Sequence, residues 1–190
     1  MIENFLRRPH GLGEYAADAV RVLGALSVLA AAFWGTPTDA GVVAVTLPAL
    51  VAPRFLGVRA WFDLVASLTI LVAAWSNVFD LYTSLTGWDL VVHFACTAVL
   101  AILVYLLCAR VGIAPEPGTA TFTPQAAVVL TASFGLALSA LWEMVEWVGA
   151  TFITDAIFVT YTDTIGDMVL GGLGALAAGL VLARVGVLRT

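Results

Sequence analysis

The chain has 190 residues, of which 62% are hydrophobic, and its mean hydropathy is +1.03. Eight basic residues, all arginine, stand against thirteen acidic ones, which gives a net charge of −5. Soluble domains are only about half apolar, so this composition excludes an ordinary soluble fold and indicates a membrane protein. The acidic residues form no runs and there is no basic block, which argues against a nucleic-acid partner.

Six apolar segments are predicted to span the membrane. The second segment is short and contains Pro48 and Pro53, so it could be a kinked helix or a re-entrant piece, since a full span needs about 20 residues. No long linker separates the segments, so residues 1–190 are predicted to form a single all-α domain, a polytopic membrane helix bundle. The predicted spans are about 19–35, 40–54, 60–78, 89–109, 125–150 and 165–183.

The arginines predict the orientation of this bundle. In a six-span arrangement all eight fall on one side of the membrane, and none on the other. Cytoplasmic loops carry an excess of basic residues, so both termini are predicted to lie in the cytoplasm. The eight are Arg7, Arg8, Arg21, Arg54, Arg59, Arg110, Arg184 and Arg189.

Polar residues on the last three spans are predicted to reach a similar depth near the outer face. His93 follows Asp89 by four residues, about 6 Å deeper at a rise of 1.5 Å per residue. Glu143 lies about 28 Å along span five from its inner end, near the far boundary of a hydrocarbon core about 30 Å thick. Asp163 and Asp167 open span six from the same outer side.

These polar residues also share helical faces, because residues three or four apart lie on one side of a helix. Packing the three faces together would enclose an acidic pocket with one histidine. The stripes are Asp89, His93, Cys96 and Thr97; Gly135, Ser139, Glu143 and Glu146; and Asp163, Asp167, Gly171 and Gly174.

An ionisable group inside a membrane costs a few kcal/mol unless it faces a protein interior, and by default it indicates a functional site. Close carboxylates cannot all ionise unless a cation neutralises them; otherwise they share protons. One imidazole with several carboxylates suits a divalent ion such as Zn²⁺, Mn²⁺, Fe²⁺ or Mg²⁺. The predicted metal ligands are His93, Glu143, Glu146 and Asp167, the predicted catalytic residues are His93, Glu143 and Glu146, and Asp89 and Asp163 support them.

Each of these residues also has a structural interpretation. Asp89 and Asp163 could cap predicted helices, and Asp167 could interact with the positive end of span six. His93 could be a buried histidine that is hydrogen-bonded to Glu146. The glutamate pair is the part of the cluster that a structural role explains least well.

Span six carries small residues at every fourth position, at Gly171, Ala175 and Gly179. Small residues let helices approach closely in a membrane. The pattern therefore predicts tight packing of this helix, and it also allows a homo-oligomer to form through the Gly/Ala-rich last helix.

Three motifs lie on the last three predicted spans: Trp88-Asp89-x-x-x-His93-Phe94, Trp142-Glu143-x-x-Glu146-Trp147 and Asp163-Thr164-x-x-Asp167-Met168. With the Gly/Ala-rich last helix, their order and spacing over about residues 86–180 resemble the YjdF-like inner-membrane proteins of bacteria. A looser similarity exists to VanZ-like proteins. The resemblance implies a small multi-span protein of the bacterial plasma membrane, and it implies no activity.

Three functions fit this sequence. The first is a metal-dependent enzyme that acts at the outer leaflet on a lipid or lipid-linked head group, with membrane lipids as its partners. The second is a proton- or cation-coupled transporter or ion-binding protein, although transporter sites usually lie near the midplane on broken helices. The third is a non-catalytic accessory protein whose polar cluster only fixes helix packing.

Overall fold

The computed structural model describes residues 1–154, 157 and 159–189. Within these ranges the chain forms helices joined by short connections, and six stretches are long and apolar enough to cross a membrane. The predicted all-α fold with six candidate spans is therefore confirmed. The helices are α1 (Ile2–Leu6), α2 (Gly11–Trp34), α3 (Pro37–Val45), α4 (Leu47–Leu56), α5 (Ala60–Val78), α6 (Leu81–Ser84), α7 (Trp88–Arg110), α8 (Pro124–Phe152) and α9 (Tyr161–Leu182).

The second span is the pair α3 and α4, with a break at Thr46. Pro48 has no N–H, so it cannot donate to the carbonyl of Ala44, and the regular helical hydrogen-bond pattern is interrupted there. The N–H of Thr46 donates instead to Val43, three residues back, at 3.2 Å. Together the two helices cover Pro37–Leu56, a stretch of 20 residues.

Contacts at its two ends show that this kinked span runs the full length of the bundle. At the start of α3, Asp39 accepts a hydrogen bond at 3.1 Å from Asn77, near the end of α5. At the end of α4, the carbonyl of Leu56 accepts one at 3.1 Å from Arg110, the last residue of α7. These partners lie at opposite ends of the bundle, which favours the kinked helix over the re-entrant piece.

Segments that carry arginine meet at one end of the bundle, which we call the arginine end. The N–H of Arg59 donates to Val187 at 2.8 Å, and the Arg110 guanidinium reaches the end of α4. The Arg54 guanidinium donates to carbonyls of the segment that precedes α2. The largest buried apolar cluster also lies toward this end, and it includes Leu50, Phe62, Tyr105, Leu106, Val187 and Leu182.

A buried ion pair near the arginine end joins α2 to α5. One terminal nitrogen of Arg21 lies 2.6 Å from both carboxylate oxygens of Asp63. The other terminal nitrogen lies 2.7 Å from Asp18, and Nε donates to the carbonyl of Leu50 in α4 at 3.0 Å. Ser67 adds a hydrogen bond to Asp63 at 3.3 Å. Each guanidinium nitrogen of Arg21 has an acceptor, so this network stabilises the packing of three helices.

Small residues allow α9 to pack tightly against α7 and α8. A Cβ atom at Gly174 would lie 2.1 Å from the carbonyl oxygen of Phe94, and one at Gly179 would lie 2.8 Å from Cα of Val128. The small residues that the sequence analysis identified are thus buried in contacts within the chain. A homo-oligomer through α9 would have to use its exposed face, which includes Leu173, Leu176 and Leu180.

Replacing Gly174 by alanine is expected to lower the free energy of unfolding by about 1–3 kcal/mol, because the methyl group would collide with the backbone of α7. Gly41→Ala is the matched control. Gly41 is exposed in α3 with nothing within 4 Å of its Cβ position, so alanine should stabilise that helix by up to about 1 kcal/mol. Thermal unfolding in detergent measures both. If the two variants changed the free energy of unfolding equally, the close approach of α9 to α7 at Gly174 would be contradicted.

Candidate functional site

His93 lies within a cluster of carboxylates at the end of the bundle opposite the arginine end. Its ring is 7% exposed, and Nε2 lies 3.4 Å from Asp89 Oδ1 and 3.9 Å from Asp167 Oδ2. On the other side of the ring, Nδ1 lies 3.8 Å from Glu143 Oε1. The predicted acidic pocket with one histidine is therefore present, with His93 close to Glu143 and Asp167. The cluster, which we call the His93 cluster, comprises His93, Asp89, Glu143, Glu146 and Asp167.

Two overlapping sets of these side chains can each supply three ligand atoms within 4.8 Å of one another. One set is Asp89, His93 and Asp167, and the other is His93, Glu143 and Glu146. His93 belongs to both sets because its two ring nitrogens face different carboxylates. Among the residues that the structure describes, Asp163 belongs to neither set.

The capping interpretations of two aspartates are wrong. The N-cap of α9 is Thr160, whose hydroxyl accepts a hydrogen bond from the N–H of Asp163 at 3.3 Å. The N-cap of α7 is Gly87, at φ 76°, and Asp89 lies within the first turn of the helix. From that position Asp89 is one helical turn from His93, so its carboxylate contacts the imidazole.

The start of α7 is fixed against α5. The indole N–H of Trp88 donates to the hydroxyl of Ser76 at 2.9 Å. Gly87 supplies the left-handed backbone conformation that begins the helix, a conformation that glycine adopts without a steric cost. These two features place Asp89 and His93 on the side of α7 that faces α8 and α9.

Gly171 brings α9 close enough to place Asp167 beside His93. A Cβ atom at Gly171 would lie 2.6 Å from the Ser139 hydroxyl oxygen and 2.9 Å from that of Thr97. One turn earlier in α9, the carbonyl of Asp167 lies 3.4 Å from the same Ser139 hydroxyl, which donates to it. The polar and small residues of the predicted stripes thus form the contact between the three helices.

Three carboxylate oxygens in the cluster are buried without a hydrogen-bond partner among the described residues. They are Oε1 of Glu143 and both Oδ1 and Oδ2 of Asp167. Glu143 is 6% exposed and Asp167 is 1% exposed. A buried carboxylate with no partner costs several kcal/mol, so such a group is normally neutralised by a proton or by a cation. The cluster therefore has oxygen and nitrogen ligand atoms and an uncompensated negative charge, and both suit a divalent cation.

The sequence analysis did not identify Tyr82, which lies in α6 close to the cluster. Burial raises the pKa of the Tyr82 hydroxyl well above its ordinary value, and the nearby Asp89 carboxylate adds to the shift. The hydroxyl stays protonated and donates to the carbonyl of Ala73 at 2.8 Å. Tyr82 thus anchors α6 to the end of α5 beside the cluster.

Asp89 and Glu146 are the partly exposed members of the His93 cluster. The Asp89 side chain is 31% exposed, whereas His93, Glu143 and Asp167 are buried. A small molecule that approaches the cluster therefore meets these partly exposed carboxylates before the buried ones. The arrangement can hold a cation, move a proton between carboxylates and the imidazole, or do both.

No curated protein and no solved structure matches the chain. A family model described as "Predicted membrane protein (DUF2238)" matches residues 19–187. The matched range contains the His93 cluster, the Arg21–Asp63 ion pair and at least part of every candidate span. Because the match covers most of the chain, the protein belongs to the DUF2238 family of membrane proteins.

Proposed function

We propose that the protein is a divalent-metal-dependent membrane enzyme that acts at the outer leaflet on a lipid or lipid-linked head group. The observation that carries this proposal is Asp167, whose two oxygens are buried without a partner beside the imidazole of His93. A single imidazolium could balance only one of the four carboxylates in the cluster. A divalent cation supplies two positive charges and uses oxygen and nitrogen ligands of this kind.

The chemistry assigned to the cluster follows from its composition. A bound cation polarises a phosphoryl or carbonyl oxygen of a head group. Asp89 faces outward and orients the incoming group, while the buried side chains exclude water around it. We assign Glu146 as the general base, because it is a carboxylate of the cluster that is only half-buried, so an incoming group can reach it.

The position of the cluster favours an enzyme over a transporter. Transporter sites usually lie near the midplane, at the ends of broken helices. The His93 cluster lies toward one end of the bundle, on α7, α8 and α9, and none of these helices contains a proline after its first residue. The broken pair α3 and α4 supplies no member of the cluster.

We also propose that the protein lies in a bacterial plasma membrane, like the YjdF-like proteins that its motifs resemble, and that the arginines place both of its termini in the cytoplasm. The arginine end would then face the cytoplasm and the His93 cluster would face outward, in agreement with the positive-inside rule. Reporter fusions after residues 37, 84 and 157 are expected to read as external, and fusions after residues 57 and 112 as cytoplasmic. A cytoplasmic signal at residue 84 would place the cluster on the inner side.

The proposed function is tested on the purified protein. Metal content is measured by mass spectrometry, and co-purified lipids are identified in the same sample. The metal-loaded protein is then incubated with liposomes of bacterial lipids, and head-group products are sought with and without a chelator. We expect bound divalent metal and a chelator-sensitive product. Absence of metal, together with cation or proton uptake into proteoliposomes, would replace the enzyme with a coupled transporter.

A further inference from the structure

We propose that the cation binds Nε2 of His93 together with Asp89 and Asp167, and that Glu143 positions the ring by accepting a hydrogen bond from Nδ1–H. This assignment rests on the proposed metal-dependent function and goes further by dividing the His93 cluster into ligands and a positioning residue. It makes Asp89 a ligand and removes Glu143 and Glu146 from the ligand set.

The division follows from the chemistry of imidazole. A neutral imidazole has one nitrogen that can bind a cation and one that carries a proton. In metal sites the protonated nitrogen usually donates to a carboxylate or a carbonyl, which fixes the ring orientation. Because both nitrogens of His93 face carboxylates, only two arrangements are available: the cation lies on the Nε2 side or on the Nδ1 side.

The distances fit a cation on the Nε2 side. Two ligand atoms bound to one ion at about 2.1 Å are about 3–3.5 Å apart. Nε2 and Asp89 Oδ1 are already 3.4 Å apart, and Asp167 Oδ2, at 3.9 Å, must approach by a few tenths of an ångström. On the opposite side, Glu143 Oε1 is 3.8 Å from Nδ1 and reaches hydrogen-bond distance with a shift of less than about 1 Å.

The three unpartnered oxygens distinguish the two arrangements. With the cation at Nε2, Asp167 binds the ion through Oδ2, which neutralises its buried charge, and Glu143 Oε1 accepts from Nδ1–H. With the cation at Nδ1, the proton on Nε2 can satisfy only one aspartate oxygen. The Asp167 carboxylate would then stay buried with its charge uncompensated, at a cost of several kcal/mol.

The assignment also gives the site an open position. Three protein ligands with a vacant fourth place are typical of catalytic metal sites, whereas structural sites are closed. Asp89 is the partly exposed ligand, so the vacant place lies on its side, facing the end of the bundle. A head group reaches the cation from that side.

The experiment measures binding of Co²⁺ and Zn²⁺ to the full-length protein by titration and records the visible spectrum of bound Co²⁺. Asp89→Asn and Asp167→Asn are expected to weaken binding at least about 100-fold. Glu143→Leu is expected to weaken metal binding about 10–100-fold. The visible spectrum of bound Co²⁺ should remain that of a site with three protein ligands. Glu143→Gln keeps an acceptor for Nδ1–H and should recover most of that loss. Glu146→Gln should leave affinity unchanged.

The reverse pattern overturns the assignment: Glu143→Gln and Glu146→Gln abolish binding while Asp89→Asn retains it. A wild-type protein that binds no divalent ion overturns the proposed function itself, and the assignment with it. Asp80→Asn is the control for general effects of losing a carboxylate, because Asp80 is exposed and outside the cluster. Size-exclusion profiles in detergent show whether each variant is folded, and Asp89→Ser replaces Asp89→Asn if that variant is not.

Discussion

Replacing Arg21 by methionine is expected to lower the free energy of unfolding by about 3–5 kcal/mol, the usual loss when one partner of a buried ion pair is removed. The reason is Asp63, whose side chain is 8% exposed. Without the guanidinium, the Asp63 carboxylate keeps, among the described residues, the hydrogen bond from Ser67 at 3.3 Å. The variant also loses the contact between α2 and the carbonyl of Leu50 in α4.

A second variant tests whether the loss comes from the uncompensated charge. Arg21→Met combined with Asp63→Leu removes both charges and should be more stable than Arg21→Met alone, because an apolar pair of similar volume is often tolerated at a buried ion-pair site.

Arg184→Met is the matched control. Arg184 is exposed and its guanidinium donates to the carbonyl of Leu180, four residues earlier in the chain, so its loss should change stability by less than about 0.5 kcal/mol. Thermal unfolding in detergent ranks the variants. A double variant less stable than Arg21→Met would show that the charge is not the cause.

This ion pair could not be predicted from the sequence, although each of its residues is visible there. Arg21 was interpreted only as a marker of the cytoplasmic side, and Asp63 lies 42 residues further along the chain. Their contact depends on how α2 and α5 are rotated about their own axes. Hydropathy determines the length of a span, but it does not determine which face of one helix meets which face of another.

The His93 cluster was more predictable because depth can be counted along each helix. The rise per residue places His93, Glu143 and Asp167 at one level once the six spans are assigned. Helical spacing then predicts that each helix presents its polar and small residues on one face. The roles within the cluster were less predictable. Asp89 was predicted to be a supporting residue, since its spacing from His93 does not reveal that oxygens of Asp89 and Asp167 and a nitrogen of His93 all lie within 4.8 Å of one another.

The helix boundaries show a similar limit. The N-cap of α9 is Thr160 and not Asp163, because the helix begins earlier than predicted and the Thr160 hydroxyl accepts a hydrogen bond from the N–H of Asp163. The break at Thr46 follows from Pro48, which the sequence shows, but the choice between a kinked span and a re-entrant piece required the contacts of Asp39 and Leu56 at the two ends of the bundle. In both cases several local solutions were acceptable, and tertiary contacts selected one.

Asp167→Asn is expected to change stability in opposite directions with and without metal. In the presence of a chelator, the wild-type protein must keep a buried carboxylate without a partner or protonate it. Asparagine places a neutral amide in nearly the same volume, so the metal-free variant should be at least as stable as the wild type. This result would distinguish a metal-binding aspartate from an ordinary structural aspartate, because loss of a structural aspartate would destabilise the protein under both conditions.

With metal added, the order of the two proteins should reverse. A ligand that binds only the folded state stabilises it by about 2.7 kcal/mol at 100 times its dissociation constant, and the wild type alone gains this contribution. Melting temperatures of both proteins, measured in chelator and in excess Zn²⁺ or Mn²⁺, give the comparison. Asp80→Asn should respond to metal as the wild type does, because Asp80 is exposed and asparagine also tolerates its left-handed backbone at φ 54°. If Asp167→Asn is the less stable protein in chelator and gains as much from metal as the wild type, then Asp167 is a structural residue and the cation, if one binds, lies on the Nδ1 side of His93.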